Sequence, residues 1–362
     1  MEQKGSRRKN WIDAAKGIAI LIVVLNHSGL VIPGVNFWGG MFYVPAFFLL
    51  AGYTYAPKEE RLGDFVKRKA KRLLVPYFGA NGLLFLFFTV KDVIGGSFQL
   101  SKALTSLLGV LYGRNQLIKG GESFVVFNAP VPDILLMPNL NAPTWFLPAL
   151  FLVLVSADAL FRLMRGRKRR AGLFVAFFAF IMLPYHYLSP FLLPWCLDIL
   201  PYLLAFFLIG YEIKEERLFE KMDGISFVKK GGIICGILAL TVAAGLFNGS
   251  YNLSLSYFGK TVAVCMISAV GSTCLLMLVL RWLEKKLPRM AAFMGRLGKH
   301  TLSILCWHYF VMQMFFTAAN VVMPGIGEGN RALQSAVQLC GMFVSLAVSI
   351  AVSLIYRKFT KE

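Results

Sequence analysis

The run Trp11–Leu30 carries Asp13 and Lys16 near its start and His27 near its end, with apolar residues filling most of the space between. Lys16 and His27 stand eleven residues apart. On an α-helix that is three turns plus about 20°, so both share one face, about 16 Å apart along the axis. Asp13 precedes Lys16 by one turn on nearly the same face. An imidazole titrates near neutrality and can exchange a proton with a substrate. An ionisable group inside an apolar run ordinarily faces a bundle interior or a water-filled cavity. The stripe fits proton-transfer chemistry at His27 with an ion pair at the mouth of a cavity. It fits equally a structural histidine hydrogen-bonded to a neighbouring helix.

A second group of residues suits a different task. Lys67, Arg68, Lys69 and Arg72 lie within six positions, just before an apolar run interrupted by Pro76. On a helix they form one cationic cluster. Arginine reads phosphate oxygens in a two-pronged fork, so the cluster suits a multiply phosphorylated ligand. Lipid headgroups are the alternative partner.

These residues need membrane-spanning helices to hold them. The chain has 362 residues, of which 57% are hydrophobic and 14% aromatic. Its mean hydropathy is +0.64. Apolar runs of about 20 residues, enough to cross a bilayer, recur from end to end. They predict ten spans: 11–31, 40–57, 73–90, 143–162, 171–188, 192–211, 231–248, 261–280, 301–320 and 333–356. The fold class is therefore all-α, a multi-pass protein with a single membrane domain over residues 1–362. The longest segment between spans, about 91–142, is expected at the outer face, with the short apolar stretch 103–112 re-entrant or interfacial. The first span reads as an uncleaved signal anchor, because Asp13, Lys16 and His27 interrupt it and no small-residue cleavage site follows.

Charge gives the orientation. The formal net charge is +20, which in a soluble protein would point to nucleic acid. Here 32 of the 38 lysines and arginines fall on one side of the ten-span scheme, the side holding both termini. That side is the cytoplasm by the positive-inside rule, and nucleic acid is excluded as a partner. The six cysteines all lie in apolar segments without C-x-x-C spacing, so buried free thiols are expected and no metal site.

The motifs resemble acyltransferase family 3. The resemblance rests on Trp11-Ile12-Asp13-x-x-Lys16-Gly17-Ile18 with His27, on Lys69-x-x-Arg72-Leu73-x-x-Pro76, on Trp145-Phe146-Leu147, and on Leu297-Gly298-Lys299-x-Thr301-Leu302-Ser303-Ile304-Leu305-x-x-His308. It runs from about residue 9 to 356, and the members it is most similar to are fucose 4-O-acetylase-like. Lys16 stands where the family usually has arginine, and Lys69-x-x-Arg72 where it has Arg-x-x-Arg, with Arg68 able to take the missing role. The resemblance implies a cell-membrane O-acyltransferase with no bound cofactor. Its donor would be acyl-CoA reached from the cytoplasm, with acetyl the family default. Its acceptor would be a hydroxyl of an extracellular or lipid-linked glycan.

Under that reading His27 removes the acceptor's hydroxyl proton or first carries the acyl group itself. His308 is a second catalytic or orienting group, or a satisfied core histidine. Asp13 and Lys16 form the cytoplasmic mouth, and Lys67, Arg68, Lys69 and Arg72 hold donor phosphates. Trp145 either anchors in the interfacial aromatic belt or lines the cavity. Asn248, Asn252 and Tyr257, in the outer loop, are placed to hydrogen-bond a sugar. Asp198 is expected to meet water at an outer helix end, and Asp158 to pair with a nearby arginine. Two other classes compete: a polar-solute or proton-coupled transporter, and a ligand-sensing membrane module.

Overall fold

Proline placement and apolar run length decide where the helices begin. Pro33, Pro45, Pro201 and Pro288 each fall in the first turn of a helix, where the missing N–H would have had no partner. A computed structural model describes residues 10–114, 116–118, 141–164, 187–325 and 329–360, with isolated backbone positions at 124–126, 129–131, 172 and 176. Its helices are α1 (Asn10–Ser28), α2 (Pro33–Phe42), α3 (Pro45–Tyr53), α4 (Leu62–Ile94), α5 (Leu100–Tyr112), α6 (Phe146–Leu163), α7 (Leu200–Glu215), α8 (Leu218–Asp223), α9 (Phe227–Asn248), α10 (Val262–Lys286), α11 (Pro288–Gly298), α12 (Thr301–Val322) and α13 (Arg331–Thr360). Short 3-10 turns, Ala142–Trp145 and Pro194–Ile199, lead into α6 and α7. A three-residue antiparallel pair, Phe124–Val126 with Ala129–Val131, lies in the expected outer loop.

The chain is a polytopic helical membrane protein. Eight helices among the described residues are long and apolar enough to cross a bilayer, and nine if α2 and α3 count as one span. The expected span 40–57 is broken, with α2 and α3 bent by 49°. Pro45 is the cause, since it cannot continue the hydrogen-bond ladder of α2. The expected span 171–188 lies outside the described residues apart from 172, 176, 187 and 188. Helix α4 has 33 residues, about 50 Å at 1.5 Å per residue. That exceeds a hydrocarbon core of about 30 Å, so its basic first turns project beyond the apolar run.

Polar contacts gather the basic segments at one end of the bundle. The N–H of Asn10, an orphan donor of the first helical turn, donates to Glu284 Oε1 at 2.7 Å. Arg162 Nη1 donates to Glu60 O at 2.6 Å, and Lys214 Nζ to Tyr55 O at 2.7 Å. Asp223 accepts from Lys285 at 2.7 Å and Arg281 at 2.8 Å, and the Lys285 bond above all, with the charge of Arg281, holds its carboxyl below the usual carboxylate range. Arg357 Nη2 donates to Lys299 O at 2.7 Å. The start of α1 and the end of α13 therefore share one face. Asp158 pairs with Arg162, one turn on, at 2.5 Å, as its position predicts.

The helices pack backbone to backbone where glycine allows. A Cβ on Gly52 of α3 would lie 1.8 Å from Phe207 O, and one on Gly210 of α7 would lie 1.9 Å from Leu49 O. Neither carbonyl can retreat without moving its helix. Gly210→Ala is therefore expected to cost about 3 kcal/mol, the upper range for overpacking. The readout is the thermal midpoint of the detergent-solubilised protein, and a wild-type midpoint would contradict this crossing. Of the six free cysteines, Cys196, Cys265 and Cys306 are buried, whereas Cys235 and Cys340 are exposed. The last two depart from expectation because α9 and α13 turn apolar side chains outward, as lipid-facing helices do.

A two-histidine cavity as candidate active site

Helices α1 and α12 bring two histidines from opposite ends of the chain together. A Cβ on Gly298, at the end of α11, would lie 1.8 Å from Asp13 O. That close crossing pins the base of α12 to α1. Ten residues beyond Gly298, His308 Nε2 lies 3.1 Å from His27 Nδ1. His308 Nδ1 is 2.6 Å from Ile304 O, one turn back.

These two contacts assign the protons. A carbonyl only accepts, so His308 carries its hydrogen on Nδ1 and donates it to Ile304 O. Neutral His308 then has a lone pair on Nε2, and His27 must supply the hydrogen from Nδ1. That leaves the lone pair of His27 on Nε2, the nitrogen that can accept a proton. His308 is fully buried and His27 half-buried, with the edge of Tyr309 against the His27 ring at 5.4 Å between centroids. A base whose far nitrogen is hydrogen-bonded by a third group is the arrangement that nucleophilic and acyl-transfer sites share.

His27 lines a cavity of about 100 Å³. Ile20 and Val23 of α1 and Leu305 of α12 make its apolar walls, and Thr301 lies at the end nearer the basic face. Ile20 to His27 and Thr301 to His308 each span seven residues, about 10 Å of helix. The wall at Tyr43 and Val44 is the break between α2 and α3. Pro45 has no N–H to offer Met41 O four residues earlier. The hydroxyl of Tyr251 donates to that carbonyl instead, at 2.6 Å. Irregular backbone at membrane depth is tolerated where it lines a cavity and is satisfied there. This bond also ties the segment Tyr251–Ser254 over the cavity, where it forms the wall opposite the basic face.

Trp145 is buried and lines the cavity, so the lining reading holds over the interfacial-belt reading. Its turn is pinned on both sides. Asn141 Nδ2 donates to Cys306 O at 2.5 Å, and Asn81 Nδ2 donates to Thr144 Oγ1 at 3.1 Å. Asn141, Thr144, Tyr43 and Tyr251 carry no chemical motif, so the sequence reading missed them. Asn-x-Pro-Thr, a turn signal before an apolar run, is the trace the first two leave.

The remaining predicted residues scatter. Asn252 lies at the cavity rim, with its Oδ1 accepting from Ser254 N at 3.1 Å and Ser254 Oγ at 2.6 Å. Asn248 does not reach the cavity. It is buried, donates to Phe258 O at 2.7 Å and accepts from Thr261 N at 3.1 Å, closing the outer loop at its base. Tyr257 pairs its backbone with Asn252 and leaves its ring exposed. Asp198, expected in water, is buried in an ion pair with Arg114. Asp13 is buried beneath the α1–α11 crossing, and Lys16 is half-buried.

In the cationic cluster, Lys67, Arg68 and Arg72 are exposed. Arg68 pairs with Glu60, whose carboxyl this contact holds below the usual range. The charged ends of Arg68 and Lys69 each sit 5.2 Å from the centre of the Phe65 ring. None of Asp13, Lys16, Lys67, Arg68, Lys69 and Arg72 lines the cavity. The cations and the imidazole belong to the same molecule but to separate surfaces.

A family model described as an acyltransferase domain matches residues 9–355. The chain belongs to acyltransferase family 3. It is a membrane acyltransferase, transferring groups other than amino-acyl groups, and this replaces the transporter and sensor readings. No curated protein and no solved structure matches it. The two-histidine cavity places an imidazole with a lone pair on Nε2 in its lining.

Proposed function

We propose that this acyltransferase moves an acetyl group from cytoplasmic acetyl-CoA to a hydroxyl of a carbohydrate at the outer face of the cell membrane. The observation that carries the reading is the hydrogen-bond chain Ile304 O–His308–His27, which puts the lone pair of a cavity-lining imidazole on His27 Nε2. In the ten-span scheme 32 of the 38 basic residues, the cluster 67–72 among them, fall on one side, which the positive-inside rule makes cytoplasmic. The cavity's small volume favours a short acyl group, since pockets for drug-sized ligands run to about 300–1,000 Å³.

The steps balance on these residues. The acceptor hydroxyl gives its proton to His27 Nε2 as its oxygen attacks the thioester carbonyl. The tetrahedral intermediate collapses, the carbon–sulfur bond breaks, and the thiolate recovers the proton from Nε2. His308 keeps the His27 ring in one tautomer throughout. To reach this nitrogen, the donor's thiol arm must pass Ile20 and Thr301, which close the basic end of the cavity.

The test is transfer of radiolabelled acetyl from acetyl-CoA to surface polysaccharide by the protein in proteoliposomes. Label that stays on CoA in the presence of every glycan offered rejects the reading. Arg72 and Lys67 are exposed with no polar partner among the described residues, and of the two Arg72 has the planar fork that reads phosphate oxygens. Arg72→Ala should raise the KM for acetyl-CoA about tenfold, the loss of one charge-assisted hydrogen bond. Its kcat should stay within about threefold. An unchanged donor KM would remove Arg72 from the donor site.

A further inference from the structure

The outer end of the cavity is held by a buried ion pair that the mechanism above does not use. Arg114 follows the left-handed Gly113 that ends α5, and its side chain is 1% exposed. Its Nη2 donates to Asp198 Oδ1, and its Nη1 donates to Ser254 O at 3.1 Å and Ser256 Oγ at 3.3 Å. Ser256 Oγ in turn donates to Asp198 Oδ2. Three segments distant in sequence therefore meet at one guanidinium.

The backbone around this contact is forced. Trp195 and Cys196, just before Asp198, have φ of 53° and 64°, and Ser256 has φ of 51°. Non-glycine residues hold such angles where the surroundings over-determine them, often beside a functional site. Trp195 Nε1 donates to Leu111 O at 2.9 Å, fastening the Asp198 turn to α5. The link to the cavity is direct. Ser254, whose carbonyl Arg114 holds, is itself a cavity wall, and so is Asn252 beside it.

We propose that Arg114 is a positioning residue for the acceptor. Through Asp198 and Ser256 it fixes Tyr251–Ser254 as a rigid roof, and that roof sets how the acceptor alcohol approaches His27. The proposal rests on the acyl-transfer reading. It predicts an effect on acceptor binding separate from any effect on donor binding.

Removing one partner alone would leave a buried charge unpaired and destabilise the fold. The informative variant is the double substitution Arg114→Met with Asp198→Leu, which removes both charges at similar volume. Such replacements are often neutral in stability. The expected result is an acceptor KM at least tenfold higher. Donor KM and the slow hydrolysis of acyl-CoA without acceptor should stay within about twofold of wild type. Ser256→Ala keeps the ion pair and the Arg114 bond to Ser254 O but loses the hydroxyl that bridges Arg114 and Asp198 beside the roof, so its acceptor KM should rise about threefold. Arg114→Lys, which keeps the charge but not the fork, should fall between wild type and the double variant. An unchanged acceptor KM in the folded double variant overturns the proposal, as do equal rises in both KM values. If the double variant does not fold, an unchanged acceptor KM in Ser256→Ala overturns it. Absence of transfer by the wild-type protein would instead reject the acyl-transfer reading, so the two failures are distinct.

Discussion

Replacing His27 with alanine is expected to lower kcat about a thousandfold, the middle of the range for a lost general base. Donor and acceptor KM should stay within about threefold, because the ring acts on a proton and not on substrate affinity. Asparagine is the sharper substitution. Its side-chain amide can occupy the place of the Nδ1 hydrogen and still donate to His308, which lies 3.1 Å from Nδ1 in the wild type. It has no counterpart to the Nε2 lone pair. His27→Asn should therefore keep the wild-type thermal midpoint and lose as much turnover as alanine. The assay is transfer of labelled acetyl to acceptor by purified protein, alongside a melting curve. A folded asparagine variant with turnover within tenfold of wild type would show that Nε2 is not the base.

Part of this site was legible in the sequence because it obeys a local period. Lys16 and His27 share a helix face by simple rotation, and the structure keeps both on α1. Nine of the ten expected spans fall on apolar helices by run length, and 171–188 lies almost wholly outside the described residues. The sequence reading took 40–57 as one unbroken span, and Pro45 explains the break between α2 and α3 that it missed. The clustering of basic segments at one end follows from the same charge pattern that sets topology.

What was not legible depends on contacts between distant segments. Gly232 and Gly236 have the spacing of a packing motif, yet a Cβ on either would meet nothing within 4 Å. The close crossings fall at Gly52 with Gly210 and at Gly17 with Gly298, whose partners lie far away in sequence. Asp198 looked like a solvated helix end, and its partner Arg114 is 84 residues earlier. Asn248 and Asn252 are alike in sequence terms. Only the turn between them decides that one ties the loop and the other reaches the cavity rim. Tyr251 gained its role because a proline on another helix freed a carbonyl. No single-segment pattern records such pairings, since each is completed by a group that folding alone brings near.

His308 is the second residue whose loss should be large. It never needs to touch substrate. In the proposed mechanism its task is to accept from His27 Nδ1, so that the hydrogen stays on Nδ1 and the lone pair on Nε2. Without that acceptor the ring can take the other tautomer, with the hydrogen on the nitrogen that must receive a proton. His308→Phe preserves the buried ring volume and removes the acceptor. Its expected effect is a fall in kcat of about a hundredfold, with both KM values within about threefold. Wrong-tautomer losses in serine proteases reach about 10⁴-fold. The smaller figure applies here because the substituted phenyl ring still confines His27 sterically and leaves part of the population in the active tautomer. His308→Gln separates orientation from packing. Its amide oxygen can stand where Nε2 stood and accept the Nδ1 hydrogen, so it should recover about tenfold over His308→Phe. A merely structural histidine predicts the reverse order, since phenylalanine suits a fully buried apolar site better than glutamine does. Steady-state kinetics of the two variants, with melting curves as control, decide between them. Equal kcat values for the phenylalanine and glutamine variants would leave His308 as packing, and His27 would then need another partner to hold its tautomer.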